Sequence, residues 1–271
     1  MSILVNTIFL NVAGGKWFEE LLEFLKQYIE VTDLFCFQEV LDSVGEQKWS
    51  KSNWDAARVR SSLWNDLRKQ LPGYWSIFTP YSRLPYEMQH TNMLSIGNAI
   101  FAREQTLRVV ASWDAMIYRT RNSFDGKDLL TLPRNILGAE LETREGTKFT
   151  VFNVHGLWHP DGKEDNSLRT AQARRIVEEI SRCQGPKILG GDFNGFPNSQ
   201  WAEIIEQSGM INLVRLNGIT STRSKHYPRG VTRGKHADNV FISREIPLAG
   251  FQVLQGVAVS DHLPLRVHYY V

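Results

Sequence analysis

Cysteine is nearly missing from this sequence: Cys36 and Cys183 are the only two in 271 residues. Two thiols are too few for a disulfide framework. Cys36 lies inside the apolar run LFCFQEV, which reads as a buried reduced thiol. A reducing, cytoplasmic setting is therefore expected. Long hydrophobic runs are missing too. Nothing approaches the ~20 apolar residues of a membrane span, and the apolar start MSILVNTIFLNV has neither a basic leading region nor a small-residue cleavage site. No membrane partner is expected. A dominant charge is absent: the formal net charge is +2 and the pI is near 8.5, which selects no class of partner by itself. The CxxC and HExxH patterns that would point to zinc do not occur, and neither does the GxxxxGK[ST] loop of nucleoside-triphosphate binding. Repeats, low-complexity tracts and linkers are lacking as well, so residues 1–271 are expected to form a single domain, acting as a monomer.

What is present is a globular composition, 42% hydrophobic with 8 Trp, 14 Phe and 8 Tyr. Residues 3–12 predict a strand, broken by Gly14-Gly15. KWFEELLEFLKQYIE then spaces Trp17, Leu21, Phe24, Leu25 and Tyr28 for an amphipathic helix, and DLFCFQEV predicts a buried strand. Residues 56–71 read as a helix ended by Pro72-Gly73, WSIFTP as a strand, and residues 80–97 as a long polar, aromatic-rich loop. NAIFAR and LRVVASW are expected to pair as a hairpin, and ILGAELET with KFTVFNVH as another that turns at Glu145-Gly146. SLRTAQARRIVEEISR predicts a helix capped by Asn166 or Ser167, and QWAEIIEQ one capped by Asn198 or Ser199. KILGGDFN, NVFIS, FQVL and LPLRVHYYV complete the strands, with Gly190-Gly191 read as a tight backbone turn. Hairpins interspersed with helices predict mixed sheets covered by helices, not a purely parallel doubly wound sheet.

The polar residues of interest fall where apolar strands end. Asn11 closes the first strand, Glu39 ends FCFQEV and His155 ends FTVFNVH. Asp192 and Asn194 follow KILGG, Asp238 precedes NVFIS, and Asp261 with His262 precedes LPLRVHYY. A strand end holds a side chain rigidly while opening it to a cleft. Each residue alone has a bland explanation: GDFNG is a plausible plain turn, and His155 and Asp238 taken singly read as structural. Together they make the set that phosphate-ester chemistry needs. Hard cations such as Mg2+ or Mn2+ take oxygen ligands, usually one or two carboxylates with water and a substrate phosphate, and Glu39 and Asp261 would supply the carboxylates.

LNVAGG, FQEV, SIGNAIFAR, NVHGLW, GDFN, ADNVFIS and SDHLPL occur in this order. The series resembles the endonuclease/exonuclease/phosphatase superfamily, which includes deoxyribonuclease I, exonuclease III-type apurinic endonucleases, neutral sphingomyelinases, inositol polyphosphate 5-phosphatases and tyrosyl-DNA phosphodiesterases. The specificity of the match lies in GDFN and SDHLPL together, preceded by FQEV. The resemblance implies an α/β (α+β) fold: a four-layer α/β/β/α sandwich of two packed mixed sheets flanked by helices, with the site at one edge. It implies Glu39 as the principal metal ligand, with Asn11 and Asp261 beside the metal. Asp192 would orient or deprotonate the attacking water and Asn194 would hold the phosphate oxyanion. His262 would contact the scissile phosphate with Asp238 orienting it, and His155 would stand near the leaving oxygen as a candidate general acid or phosphate ligand.

For the substrate, the stretch from Gln207 to Ala237 contains no acidic residue and runs directly into Asp238. It carries Arg223, Lys225 and Arg233, a composition suited to a polyanion backbone. Arg119, Arg121 and Arg134 are further candidates for phosphate contacts, Trp158 could stack on a base or ring, and Arg169 could brace the loop after His155. Nucleic acid is therefore the expected substrate and phosphodiester cleavage the expected reaction. A phosphatase or sphingomyelinase-type hydrolase of a small or lipid substrate is the alternative, and a non-catalytic binding module a more distant one. Where inositol phosphatases carry Asn-Tyr-Arg after this motif, the chain has Gly195-Phe196-Pro197; where apurinic endonucleases carry Arg-x-Asp-Tyr, it has His236-Ala237-Asp238-Asn239. Both branches are disfavoured on those grounds.

Overall fold

A computed structural model describes residues 2–43, 50–52, 55–85, 93–228 and 235–271. Its elements are β1 (Leu4–Asn11), α1 (Phe18–Tyr28), β2 (Leu34–Ser43), β3 (Ser50–Ser52), β4 (Asp55–Val59), α2 (Leu63–Gln70), β5 (Tyr74–Pro85), β6 (Met93–Arg103), β7 (Leu107–Tyr118), β8 (Arg134–Thr143), β9 (Lys148–His155), α3 (Ser167–Ser181), β10 (Lys187–Asp192), α4 (Gln200–Gln207), β11 (Met210–Asn212), α5 (Leu213–Leu216), β12 (Asp238–Ser243), β13 (Leu248–Val253) and β14 (Leu265–Tyr270). One six-stranded sheet has the order β13-β14-β1-β2-β6-β5 and the other β11-β12-β10-β9-β8-β7, while β3 and β4 pair separately.

The central strands are apolar on both faces because both faces are covered. Phe9 and Cys36 point between the sheets, where they meet Leu137, Val151, Ile188 and Val240 of the second sheet. Their neighbours Ile8, Leu10, Phe35 and Phe37 point outward against Leu21, Phe24 and Leu25 of α1 and Leu63 and Leu67 of α2. On the far side, Phe152, Val154, Leu189 and Phe241 pack under Ala173, Ile176 and Ile180 of α3 and Trp201, Ala202 and Ile205 of α4. The result is the four-layer sandwich that the resemblance implies.

Parallel pairing decides where the site forms. β1 pairs parallel with β2 across α1, and β9 pairs parallel with β10 across α3. The carboxyl ends of all four strands therefore emerge at one edge. Antiparallel neighbours begin where these strands end: Asp238 of β12 faces Asp192, and β14 starts opposite Phe9.

Several expectations are corrected. NAIFAR and LRVVASW do not form a hairpin: β6 pairs with β2 and β5, while β7 pairs with β8 in the other sheet. The short connection passes between sheets and is pinned by Asp33, whose carbonyl accepts from Arg103 N (2.8 Å) and whose carboxylate accepts from Thr106 Oγ1 (2.8 Å). The helix expected over 56–71 starts only at Leu63, because residues 55–59 form β4. Asp66 accepts bonds from Arg60 Nε (2.7 Å) and Ser62 Oγ (2.9 Å), side-chain contacts that fix the non-helical lead-in. The loop expected at 80–97 is largely strand at its two ends, and residues 86–92 lie outside the described residues. The hairpin of β8 and β9, turning at Gly146 with φ 86°, is as expected. Asn166 caps α3 by accepting from Arg169 N, but α4 is capped from a distance: Asp165 accepts from Gln200 N at 2.8 Å, and Ser199 makes no side-chain cap.

Gly190 and Gly191 are strand residues rather than a turn. A Cβ on Gly190 would stand 2.7 Å from the ring of Phe9, and one on Gly191, whose φ is 133°, would stand 2.1 Å from the carbonyl oxygen of Val154. The close approach of the two sheets needs hydrogen at Gly190, and the pairing of β10 with β9 needs it at Gly191. Gly190→Ala is therefore expected to destabilise the fold by about 1–3 kcal/mol through overpacking. Thermal or denaturant unfolding measures this; an unchanged midpoint would contradict the packing argument.

Candidate active site

Asn11, fully buried at the end of β1, is the hinge of the site. Its Nδ2 donates to Glu39 Oε1 (3.1 Å) and to Asp192 Oδ2 (3.0 Å), while its Oδ1 accepts from Ala13 N (2.9 Å). Glu39 does not end its strand as expected. It sits inside β2 in a bulge, where Gln38 and Glu39 together oppose Asn98 and Glu39 adopts φ 55°. A bulge re-aims a side chain, and this one turns Glu39 to the cavity.

Asp192 ends β10 with its carboxylate fixed on both sides, since Oδ1 accepts from Asn194 N at 2.8 Å and Oδ2 from Asn11. Burial would raise its pKa, but the positive charge of His262, with Arg223 and Lys163, wins and holds it well below the usual carboxylate range. Asn194 has φ 54° and donates from Nδ2 to the Gly156 carbonyl at 3.3 Å. His155, ending β9, shares a hydrogen bond between Nδ1 and the Tyr81 hydroxyl (3.0 Å) and turns Nε2 towards Asp192 (3.8 Å) and Glu39 (3.9 Å). Facing two carboxylates favours the proton on Nε2, which leaves Nδ1 to accept from Tyr81. Burial, aided by Arg134, pushes the His155 pKa well below the usual value, so the ring is neutral.

His262 differs. Its Nδ1 lies 2.8 and 2.9 Å from the two oxygens of Asp238, and its Nε2 lies 3.6 Å from Asp192. Burial and the Arg223 guanidinium oppose protonation, yet Asp238, Asp261 and Asp192 outweigh them and raise its pKa. Arg223 contacts His262 Nε2, donates to Asp261 Oδ2 at 2.9 Å and stacks over the Tyr227 ring at 4.5 Å. Its segment is stitched to the His262 segment by Ser224 N to the Asp261 carbonyl and Leu263 N to the Thr222 carbonyl.

These groups surround one cavity of about 280 Å³, lined among others by Lys16, Glu39, Tyr81, Arg134, His155, Trp158, Lys163, Asp192, Asn194, Arg223, Tyr227, Asp261 and His262. Asn11 and Asp238 stand behind the lining. Arg119 and Arg121 are outside it: Arg119 donates to the Leu130 carbonyl, and Arg121 is engaged by Asp114 and the Pro80 carbonyl. Lys225 is exposed and outside the lining, and Arg233 lies outside the described residues. Arg169 braces the loop after His155. Sequence reasoning missed Tyr81, which falls in the stretch taken for loop, and Lys163, a single lysine between turn residues with no periodic signal.

Asp192, Asp238 and His262 offer ligand atoms within 4.8 Å of one another, a buried group that could hold a metal ion. His262 Nδ1 is already committed to Asp238, however, so this trio reads better as a hydrogen-bonded pair beside a carboxylate. Of the three carboxylates that line the cavity, Glu39 and Asp261 are the more open, with side chains 34% and 25% exposed against 2% for Asp192. Among the described residues the Glu39 carboxylate accepts a single hydrogen bond, from Asn11. That donor set suits a hard divalent cation.

The sequence profile of the Endonuclease/Exonuclease/phosphatase family matches residues 8–262, and the chain belongs to that family, whose members are phosphoesterase hydrolases that depend on a divalent metal. A UPF0294 protein of Yersinia enterocolitica is 30% identical over 141 residues, 52% of this chain and 50% of that protein; the chain spans about half the length of the curated relatives it matches. Many solved structures share the fold. A mannosyl-6-phosphatase of Bacteroides thetaiotaomicron has a TM-score of 0.69 at 18% identity, covering 98% of this chain and 99% of its own. The human Nocturnin catalytic domain with bound sulfate has 0.66 at 17%, covering 100% and 97%. TDP2 of D. rerio complexed with single strand DNA product has 0.67 at 15%, covering 98% of both.

The two histidines should titrate on opposite sides of the usual value of 6.5. In metal-free protein, ¹⁵N NMR of the imidazoles is expected to show His155 neutral and His262 mostly protonated near that pH. The linkage signs also oppose. The stabilising contribution of His262 is complete below its unfolded pKa and is lost as pH rises through the folded one. That of neutral His155 is complete above its unfolded pKa and is lost as pH falls. Matching titrations near 6.5 for both rings would contradict the assignment.

Proposed function

We propose that this chain hydrolyses phosphate esters by in-line attack of water, with Glu39 and Asp261 holding Mg2+ or Mn2+ and Asn11 fixing Glu39 from behind. The observation that carries this reading is the Asp192 carboxylate, ionised, locked by two hydrogen bonds and 3.6 Å from His262 Nε2 in a cavity shared with Glu39 and Asp261. Bound divalent metal supplies Lewis-acid neutralisation of phosphate charge. Asp192 orients the attacking water and takes its proton. His262, oriented by Asp238, donates to a non-bridging phosphate oxygen, and Asn194 does the same with the amide hydrogen not given to Gly156, so that both act where charge builds. His155 is neutral and stands as a hydrogen-bond donor near the leaving oxygen rather than as its acid; the departing oxygen takes its proton from solvent water, and Asp192 returns the proton it took to solvent.

For the substrate, nucleic acid is the favoured reading. The stretch without acidic residues from Gln207 to Ala237 supports it, with Arg223 at the cavity and Trp158 exposed at its rim, and so does the structural likeness to TDP2 bound to a DNA product. A small phosphorylated substrate is the second reading, supported by the modest cavity volume of about 280 Å³, by Arg119 and Arg121 being engaged elsewhere, and by the likeness to a mannosyl-6-phosphatase.

A substrate panel of plasmid, single-stranded DNA, RNA, a 5′-phosphotyrosyl oligonucleotide, sphingomyelin and sugar phosphates, with Mg2+, Mn2+ or EDTA, tests the proposal. Metal-dependent turnover is expected, abolished by EDTA. Asp192→Ala and His262→Ala are each expected to lower kcat by about 10²-fold or more while the fold persists. Turnover retained in either variant would sink the role assignment, and cleavage confined to sugar phosphates would move the chain to the second reading.

A further inference from the structure

Burying an ammonium with no carboxylate beside it is unfavourable, because the charge loses water and gains little in return. Lys163 comes close to this case: the carboxylates of Asp192 and Asp238 attract it, but neither stands at ion-pair distance. It is 8% exposed and lines the same cavity as Asp192, Asn194 and His262. Among the described residues its Nζ makes one hydrogen bond, to the His236 carbonyl at 2.6 Å, and no ion pair. An ammonium has three donors, so two are left for whatever enters the cavity. Burial, with repulsion from Arg223, lowers its pKa to about 8, which leaves it mostly cationic at neutral pH.

The loop that carries Lys163 is built to hold it. Arg169, itself 3% exposed, donates to the carbonyls of Leu157 (2.8 Å), Gly162 (2.6 Å) and Glu164 (3.1 Å). Gln172 accepts from Leu157 N at 3.1 Å. At the start of the loop, a Cβ on Gly156 would meet the Phe193 backbone at 2.7 Å, so the loop is seated directly against the Asp192–Asn194 turn. A buried guanidinium that spends its donors on loop carbonyls gives Lys163 a fixed position beside that turn.

We propose that Lys163 binds a non-bridging oxygen of the substrate's phosphate, as an anion contact on the Asp192–Asn194 side of the cavity. The proposal rests on the phosphoesterase reading for the identity of its ligand. A lysine suits the task as a compact point charge that tolerates a moving phosphate. The competing account is a purely structural tie between the loop and His236.

Calorimetric titration of the full chain with inorganic phosphate separates the two accounts, using wild type, Lys163→Gln, Lys163→Met and Lys163→Arg. Lys163→Gln keeps a donor for the His236 carbonyl without the charge. Both neutral variants are expected to raise the phosphate Kd at least about tenfold, the loss of one charge-assisted hydrogen bond. Lys163→Arg should stay much nearer wild type. The Tm of Lys163→Met should change little, since loss of the bond to the His236 carbonyl is offset by removal of a buried charge. An unchanged phosphate Kd in the neutral variants, or an arginine variant as weak as the glutamine one, would overturn the proposal, as would no binding to wild type at millimolar phosphate. If wild type hydrolyses no ester but its phosphate affinity still depends on Lys163, the phosphoesterase reading falls and the anion contact stands. If hydrolysis is lost in Asp192→Ala while the Lys163 variants keep wild-type phosphate affinity and KM, only the Lys163 proposal falls.

Discussion

The side-chain amide of Asn11 uses both of its hydrogens on carboxylates, one on Glu39 in its own sheet and one on Asp192 in the other. Two sheets that pack only through apolar side chains are free to settle by fractions of an ångström. A buried amide with two fixed acceptors removes that freedom where the strands end. The region beneath is tied in the same way: Gln38 donates to Asn153 at 2.6 Å, and Asn153 donates to the carbonyls of Phe37 and Ala99. Such contacts contribute little net stability, because each replaces a bond to water, but leaving one unmade is costly. They fix register between the sheets, and register is what brings Glu39 and Asp192 to one cavity.

Electrostatics then divide the cavity. Asp238 is spent on His262, and burial with Arg134 keeps His155 neutral. Asp261 is held below the usual carboxylate range because His262 and Arg223 outweigh the effect of its burial. The two histidines have the same chemistry and opposite charge states, set by what each faces: a carboxylate at bonding distance for His262, a tyrosine hydroxyl for His155. Positive charge therefore gathers at His262 and Arg223, with Asp261 ion-paired to Arg223 and Glu39 bonded only to Asn11 among the described residues.

Much of this was legible in the residues. The helices at 18–28 and 167–181 and the strands on either side of them follow from apolar runs and helical periodicity, which are local signals, and so do the polar residues where those strands close, Glu39 excepted. At Arg103–Leu107 a short turn between two strands has the same local pattern whether it closes a hairpin or crosses between sheets; the distinction lies in Asp33, 73 positions before the Thr106 it bonds. A polar residue after an apolar run has the same pattern at a strand end as in a bulge, so the bulge at Glu39 shows only in the register of β2 against β6. Tyr81 and Lys163 became site residues through long-range packing, and the glycines at 190 and 191 are explained by Phe9 and Val154, which no local pattern names.

The central claim is that the cation belongs with Glu39 and Asp261, and that Asp238 serves His262. Mn2+ binding to the purified chain, followed by calorimetry or electron paramagnetic resonance, tests it directly with Glu39→Gln and Asp238→Asn. The account predicts that Glu39→Gln weakens Mn2+ binding by at least about tenfold and that Asp238→Asn changes it far less. A large loss in Asp238→Asn with Glu39→Gln near wild type would place the cation at Asp192, Asp238 and His262 and contradict the account.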